Sequence, residues 1–599
     1  VVSISLCLAI VFLPLLFMTG VIGKIFHEFA AVMLIAILIS AFISMSLTPM
    51  LCSRFVPGYH LEKKTRMERV SEHLNATLLK YYEPLLRWLL HHKKWVVVFC
   101  FCNLVGSVCL FAFLPKEFLP TDDLGIIQGF LVADSSASPE KMTHIVESVQ
   151  KICMDHPAMD TMVRISSSPT DNQTMFFLNL KERKKRDSVE QVMRELNYAI
   201  REQVVGVKSF MKPYPLINLQ IGGSTSGKAN YQYILQALDP DILMEHIEAY
   251  LAALKKRKEL TQVSSDLLPP GPILNVNLLR DQAHSYSHLN ATSIEDALMY
   301  NYGETYISKM NTPENMYYVI LEGEKPFIRD PSSLHNLYVG EDHQVAVDSV
   351  IETKMTSGSI QINHLNTMSS VTIAFDVAEG HALSEAIAAV EEEAAKLLPP
   401  EIIRGLAGNT AAFKQTFMQL TIFILLAVFV VYIILGILYE NFIYPLVPLS
   451  ALPIAILGGL LTLLVFRERL SIYALIGLIM LIGIVMKNGI LVVDFALEEF
   501  REKGASPLKA VVAACLVRFR PIIMTTFAAM MGSVPVALGI GGTLSQGRAP
   551  LGLVVVGGLL FSQVVTLFVI PAFFLYVCQV QEHFTTKFSL FKKLEEDLD

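Results

Sequence analysis

The sequence predicts a polytopic α-helical membrane protein interrupted by one large α+β insertion. Three observations predict it. First, the 599 residues are 53% hydrophobic and only 17% charged, where a soluble chain carries about 25% charge; the mean hydropathy is +0.47. Second, apolar runs at 1–22, 28–52, 95–114, 417–438, 443–466, 470–496, 520–541 and 549–579 match the roughly 20 residues that cross a bilayer. Third, the segment 115–416 between the third and fourth runs shows the strand and helix patterns of a folded unit.

The chain is taken in order. A tight turn over Gly20–His27 joins the first two runs, and Thr48-Pro49 reads as a kink or stop. Residues 53–94 are basic, with Arg54, Lys63, Lys64, Arg66, Arg69, Lys80, Arg87, Lys93 and Lys94. Such a loop stays on the cytoplasmic side. Within it, Val70, Leu74, Leu78, Tyr81, Leu85 and Leu89 recur at helical spacing. They predict an amphipathic helix over 67–91, lying on the membrane surface or simply solvated. Strict alternation then puts 115–416, 467–469 and 542–548 outside. It puts 497–519 (Arg501, Lys503, Lys509, Arg518) and the tail 580–599 (Lys587, Lys592, Lys593) inside.

The insertion repeats one pattern twice. The first copy reads strand "GIIQGFLVADS", helix from Ser138-Pro139 to about Asp155, strand near 160–166, strand "TMFFLNLK", helix from Ser188 to about Val205, strand near 207–220. Ser138 and Ser188 suit N-caps and Pro139 suits the first helical position. The order is βαββαβ. The second copy starts with "NYQYILQAL" and a helix over 241–257. It resumes with "SSVTIAFDV", a helix over 383–397 and a strand over 401–406. Between its halves, 274–368 is strand-rich and is entered through "PPGP".

The stretch 470–544 carries the chemistry. Lys487 and Asn488 lie well inside one apolar run, and Arg518, Arg520, Pro521, Thr525 and Thr526 open the next. A lysine at the centre of a membrane helix costs about 2.5–3.5 kcal/mol on insertion scales. A partner or a water path normally stabilises it. Two adjacent helices offering cations, hydroxyls and an amide predict an ion or proton site. The plainer reading is that Lys487 snorkels and Arg518 marks a helix end.

Other classes are disfavoured. A net charge of −7 does not suggest nucleic acid. The eight cysteines lie mainly in apolar runs without a CxxC pair, so neither a disulfide framework nor a zinc site is indicated. There is no Gly-rich phosphate loop, HExxH or GxSxG, so an enzyme is not expected, and no cofactor or metal is expected. Without a Walker motif, an ion gradient is the expected energy source. The chain starts at Val1 inside an apolar run, without a basic n-region, and reads as a fragment rather than a signal peptide.

Four local motifs carry a resemblance: "LPKEFLPTDD" (114–123), "LYENFIYPLVPLSALPIAILGG" (438–459), "GLIMLIGIVMKNGILVVDFA" (477–496) and "RFRPIIMTTFAAMMGSVPVAL" (518–538). With them the chain resembles the second half of the resistance-nodulation-division (RND) exporters, in the hydrophobe/amphiphile multidrug branch. The resemblance implies a multi-pass bacterial inner-membrane protein with a large periplasmic insertion. Residues 1–52 would be the family's fifth and sixth helices, 53–94 a cytoplasmic loop, 95–114 the seventh helix, and 417–579 the last five. Two porter subdomains would occupy 115–225 and 226–273 with 369–410. A docking subdomain would occupy 274–368, and 580–599 would be a cytoplasmic tail.

The resemblance also implies roles. Lys487 matches the family's proton-relay lysine, and Arg518 and Thr525 match its relay arginine and threonine. In the family these couple to two aspartates on the fourth helix, which has no counterpart here; Asp494 sits too near its helix end to replace them. The chain alone is therefore not expected to pump without an upstream half of the permease. Phe177 matches an aromatic of the distal drug pocket, and Tyr231 and Tyr233 fall where the family places entry-region aromatics. Core strand residues are the alternative. The loop "RISSSPTDNQT" (164–174) departs from the Gly- and Phe-rich loop of drug pumps. Implied partners are two further copies in a trimer, a periplasmic adaptor protein, an outer-membrane channel and the proton gradient. "QIGG" (220–223) and "NYQY" (230–233) look more like members that assemble as heteromers. A metal-ion exporter is the alternative within the superfamily, although Met175, Met310 and Met316 form no evident cluster. A non-pumping scaffold or receptor is the other.

Overall fold

The computed structural model describes residues 2–55, 66–119, 123–166, 172–215, 228–267, 270–286, 289–328, 330–340, 344–358, 361–504, 506–541, 545 and 547–596. Lys63, Lys64, "QIGG" and the middle of the 164–174 loop lie outside the described residues.

The chain opens with α1 (Val2–Phe12), a 3-10 turn (Leu13–Phe17) and α2 (Gly20–Phe55). The turn therefore falls at Met18–Thr19, not over Gly20–His27. Lys24, His27 and Glu28 ride exposed on the first turns of α2, where charge is solvated. The 1–22 run yields an apolar helix shorter than a span. Pro49 does not stop α2; Thr48 Oγ1 donates to the Ile43 carbonyl at 3.4 Å nearby.

Helix α3 (Arg66–His91) precedes α4 (Lys93–Phe113). The stripe that α3 buries in the fold is a second one, beside the stripe read as facing a membrane surface or solvent. Tyr82, Leu86 and Leu90 face inward. Tyr82 donates to the Leu567 carbonyl at 2.7 Å and packs 4.6 Å from the Phe519 ring. Leu78, Tyr81 and Leu85 point outward with Trp88. The helix is apolar on two faces, and only one finds protein.

The first βαββαβ unit comprises β1 (Ile126–Ala133), α5 (Pro139–Met154), β2 (Met159–Ser166), β3 (Gln173–Leu180), α6 (Val189–Gln203) and β4 (Val207–Pro213). Ser138 and Ser188 cap α5 and α6 by accepting from Lys141 N and Gln191 N, both at 3.3 Å. The sheet runs β2-β3-β1-β4. Its helix-covered face buries Ile127, Leu131, Phe176 and Leu178 against Val149 and Leu196.

The second unit starts with β5 (Tyr231–Ala237), α7 (Pro240–Leu254) and β6 (Leu260–Ser265). The insert enters on β7 (Gly271–Leu278), inside "PPGP". It holds α8 (Arg280–Ala283), α9 (Ala291–Tyr302), β8 (Thr305–Asn311), β9 (Met316–Leu321), α10 (Lys325–Ile328), β10 (Tyr338–Val339) and β11 (Val345–Ala346), and it leaves on β12 (Ile351–Gly358). Strands β7 and β12 pair antiparallel as its stalk. The β8–β9 hairpin is exposed on both faces, including Tyr306, Ile307, Tyr317 and Ile320. The second unit resumes with β13 (His364–Leu365), β14 (Met368–Val377), α11 (Leu383–Leu397) and β15 (Ile403–Ala407). Its sheet runs β13-β14-β5-β15, with β6 also on β14.

Helix α12 (Gly408–Tyr439) continues directly from β15 into the bundle. The run 443–466 is broken into α13 (Leu446–Leu449) and α14 (Leu452–Val465). Then come α15 (Ile472–Arg501), α16 (Pro507–Ala537) and α17 (Ala549–Glu596). The basic segment 497–519 is thus mostly helix, not loop, and Pro521 sits inside α16 rather than near its start. A proline removes only one helical hydrogen bond, and bundle packing tolerates that loss. Among the described residues, six helices are long and apolar enough to span a membrane, and the bent α17 pair would be a seventh. Helix α15 lies at the centre, packed by α1, α13, α14, α16 and α17. Glycines permit this approach: a Cβ on Gly489 would sit 3.1 Å from both Ile570 and Pro448.

Candidate functional site: the seam between α15 and α16

Ser471 starts α15, accepting from Ala474 N at 3.3 Å. From there the helix runs unbroken, carrying Lys487, Asn488 and Asp494. Helix α16 returns antiparallel beside it. Two contacts set the register. Asn488 Nδ2 donates to Thr526 Oγ1 at 3.0 Å, with both residues buried. Arg518 lies within electrostatic reach of Asp494, one layer nearer the charged turn. Lys487 therefore sits at the level of Thr525 and Thr526, and Asp494 at the level of Arg518.

The polar groups on this seam are unevenly satisfied. Thr525 and Thr526 donate back to the Ile522 carbonyl at 3.1 and 2.9 Å. The guanidinium of Arg518 stacks 5.1 Å from the Phe495 ring centroid, and its buried Nε has no hydrogen-bond acceptor among the described residues. Lys487 is half-buried, and among the described residues it makes no hydrogen bond or ion pair.

Of the three expected residues, Lys487 lies on α15 at the level of the Asn488–Thr526 bond, Arg518 lies nearer Asp494, and Thr525 is exposed on α16 beside the buried Thr526; the aromatic candidates lie elsewhere. Phe177 is on β3, on the face turned away from α5 and α6, while its neighbour Phe176 fills the core. Its ring meets Tyr214 edge-on at 6.0 Å. Met175 shares that face and accepts from Gln128 Nε2 at 3.4 Å. Tyr233 is 3% exposed and belongs to the core of the second unit. Tyr231 packs 6.1 Å from Phe375 at the root of α12. The placement of these two tyrosines is that of strand residues packed in a core.

The two units meet through polar groups. Gln262 Nε2 donates to the Met211 carbonyl at 2.9 Å. Lys212 of the first unit faces Asp376 of the second, whose Oδ1 accepts from Asn230 N at 2.8 Å. Burial lifts the Asp376 carboxyl to about 6, against the pull of Asn230 and Lys212. Burial lowers the Lys212 ammonium, and Asp376 opposes that shift.

A family model described as the AcrB/AcrD/AcrF family matches residues 1–578. The chain belongs to that family. It is an RND permease chain, and the seam lies within the matched region. The RND chain is also similar to a solved structure described as a heavy metal efflux pump. The two share 20% identity over 96% of this chain and 58% of that one, with a TM-score of 0.80. At that identity the likeness speaks for the fold alone. The RND chain thus spans less than two thirds of the length of that relative.

Sequence reasoning singled out Lys487, Arg518 and Thr525 and noted Asn488 and Thr526 only as neighbours. The structure gives the buried cross-helix bond to that second pair. The adjacent threonines at 525 and 526 were the available signal. Their opposite roles depend on which side of α16 faces α15.

Proposed function

We propose that this chain works as the relay and porter portion of a proton-driven RND exporter of small amphiphilic compounds. The observation that carries the reading is Lys487: an ammonium set inside the most buried apolar helix, without a partner among the described residues. A neighbouring carboxylate would be held ionised by it, and protonating that carboxylate would release the pair. The carboxylates would come from an upstream half of the permease. Arg518 and Thr525, both on the neighbouring helix α16, would stabilise the two states.

The amphiphile reading rests on Phe177, Tyr214 and Met175, a soft apolar face outside the core of the first porter unit. The exposed β8–β9 hairpin suits a trimer, since an apolar strand pair without a cover seeks another chain. The docking insert would meet an outer-membrane channel, with a periplasmic adaptor alongside. The chain would sit in a bacterial inner membrane, with the outward face of α3 on the cytoplasmic surface. Metal ions are the second reading, favoured by the fold it shares with a heavy metal efflux pump.

The test is dye efflux from cells carrying the chain with its upstream half, at equal expression. The intact permease should lower dye accumulation, and Lys487→Ala should abolish that. Equal efflux from Lys487→Ala would make Lys487 a structural or snorkelling residue and end the relay reading.

A further inference from the structure

The residues that leave α4 lie against the residues that start α15. Leu470 N donates to the Pro115 carbonyl at 2.9 Å, Glu117 N to the Leu470 carbonyl at 3.1 Å, and Ile472 N to the Phe118 carbonyl at 3.2 Å. Over this backbone seam, Arg469 Nη1 donates to Glu117 Oε1 at 3.0 Å. The pair is well shielded, with side chains 31% and 22% exposed. Burial raises the Glu117 carboxyl above its ordinary value, and Arg469 pulls it back.

The same few residues reach both porter units. Residues 114–118 precede β1 (Ile126–Ala133) of the first unit in the chain. Lys116 N donates to Ser384 Oγ and Ser384 N donates to the Lys116 carbonyl, both at 3.3 Å, at the start of α11 in the second unit. Phe118, 2% exposed, packs edge-on at 6.4 Å from Phe413 of α12. The root of α12 is tied in turn to β5: Thr410 Oγ1 accepts from Gln232 N at 3.0 Å, and Asn409 Nδ2 donates to the Asn230 carbonyl at 3.0 Å.

An α-helix is a stiff rod. A shift of α15 at Lys487 must therefore appear at its capped end, two residues from Arg469. The backbone bonds there are short and few. A shielded ion pair contributes little net stability but fixes one geometry against others. We propose that Glu117 and Arg469 are positioning residues, forming a strut that passes movement of α15 to the two porter units. The strut rests on the relay reading given above, because α15 needs a reason to move.

The experiment is hydrogen–deuterium exchange on the chain with its upstream half, purified in detergent, at mildly acidic and mildly alkaline pH. Exchange is corrected for the intrinsic pH effect and followed in peptides of α15 and of strands β1–β4 and β14. The parent should show a pH-dependent change in both sets. Glu117→Gln and Arg469→Glu should keep the α15 response and lose the porter response. The double exchange Glu117→Arg with Arg469→Glu should restore it, which a merely structural loss would not allow. Porter peptides that respond as in the parent in either single variant would overturn the strut. So would a double exchange that behaves like the singles, or a parent whose porter peptides never respond. Lys487→Ala run alongside separates the two ideas. If it retains the α15 response, the relay reading fails, whereas the strut is judged on the porter peptides of the parent and of its own variants.

Discussion

Arg186 in the first βαββαβ unit is a buried cation, and Lys487 in α15 is a half-buried one. Arg186 is 1% exposed in its side chain and is fully answered. It pairs with Asp123 through Nη1 at 3.0 Å, and its Nε donates to the Lys181 carbonyl at 2.7 Å. Lys487 is answered by nothing among the described residues. A buried charge with every donor satisfied holds one geometry and serves structure. A charge left open inside an apolar helix costs free energy in the resting fold and is by default a candidate functional site.

The comparison breaks most sharply at Lys487 itself. Lys487→Met should reduce efflux to background while leaving thermal unfolding unchanged or slightly more favourable, because it removes an unpaired charge. A large fall in melting temperature would put Lys487 in the same class as Arg186. The reverse holds for Arg186→Met. It strands Asp123 and should cost about 3–5 kcal/mol of stability, read by thermal or denaturant unfolding, with efflux lost only in proportion to folded protein.

Acid should separate two carboxylates of the βαββαβ units. Burial alone would raise the Asp123 carboxyl, but the Arg186 guanidinium and Gly125 N hold it below its ordinary value. Asp123 therefore contributes stability at neutral pH that is lost as pH falls through that lowered value. Asp376, lifted to about 6, has the opposite sign. Its native state holds a proton more tightly than the unfolded chain, so its contribution to stability grows as pH falls from about 6 toward the ordinary carboxylate range. Melting curves across that range should show the gain, and Asp376→Asn should flatten it. The smallest effect belongs to the cross-helix bond. Asn488→Ala should cost about 0.5–1.5 kcal/mol through the lost bond to Thr526, whose hydroxyl still donates to the Ile522 carbonyl. A double-mutant cycle with Thr526→Val should recover most of it if the two residues act as a pair.

Much of the fold was legible because its signals are local. Ser138 and Ser188 stand where serine caps a helix, and both caps form. The apolar runs carry their own length. Where local pattern leaves a choice open, packing makes it. Helix α3 has two apolar stripes, and only the presence of Phe519 and Leu567 decides that Tyr82 turns in and Tyr81 out. The basic stretch before Pro521 looked like a loop because charge and proline are common in loops, yet packing against α15 and α3 keeps it helical.

The candidate site divides the same way. Sequence alone determined that Lys487, Arg518 and Thr525 lie on neighbouring apolar helices, since helix periodicity and span length need nothing else. It also determined that one of Phe176 and Phe177 must face the core, because side chains alternate along a strand. Only the tertiary structure decided which one, and that Tyr233 is core. Only it joined Glu117 to Arg469, 352 residues apart in the chain. The reason is physical. Helix caps, spans and alternation are set by residues within a few positions of each other. Whether a buried charge finds its partner depends on which distant surfaces pack together.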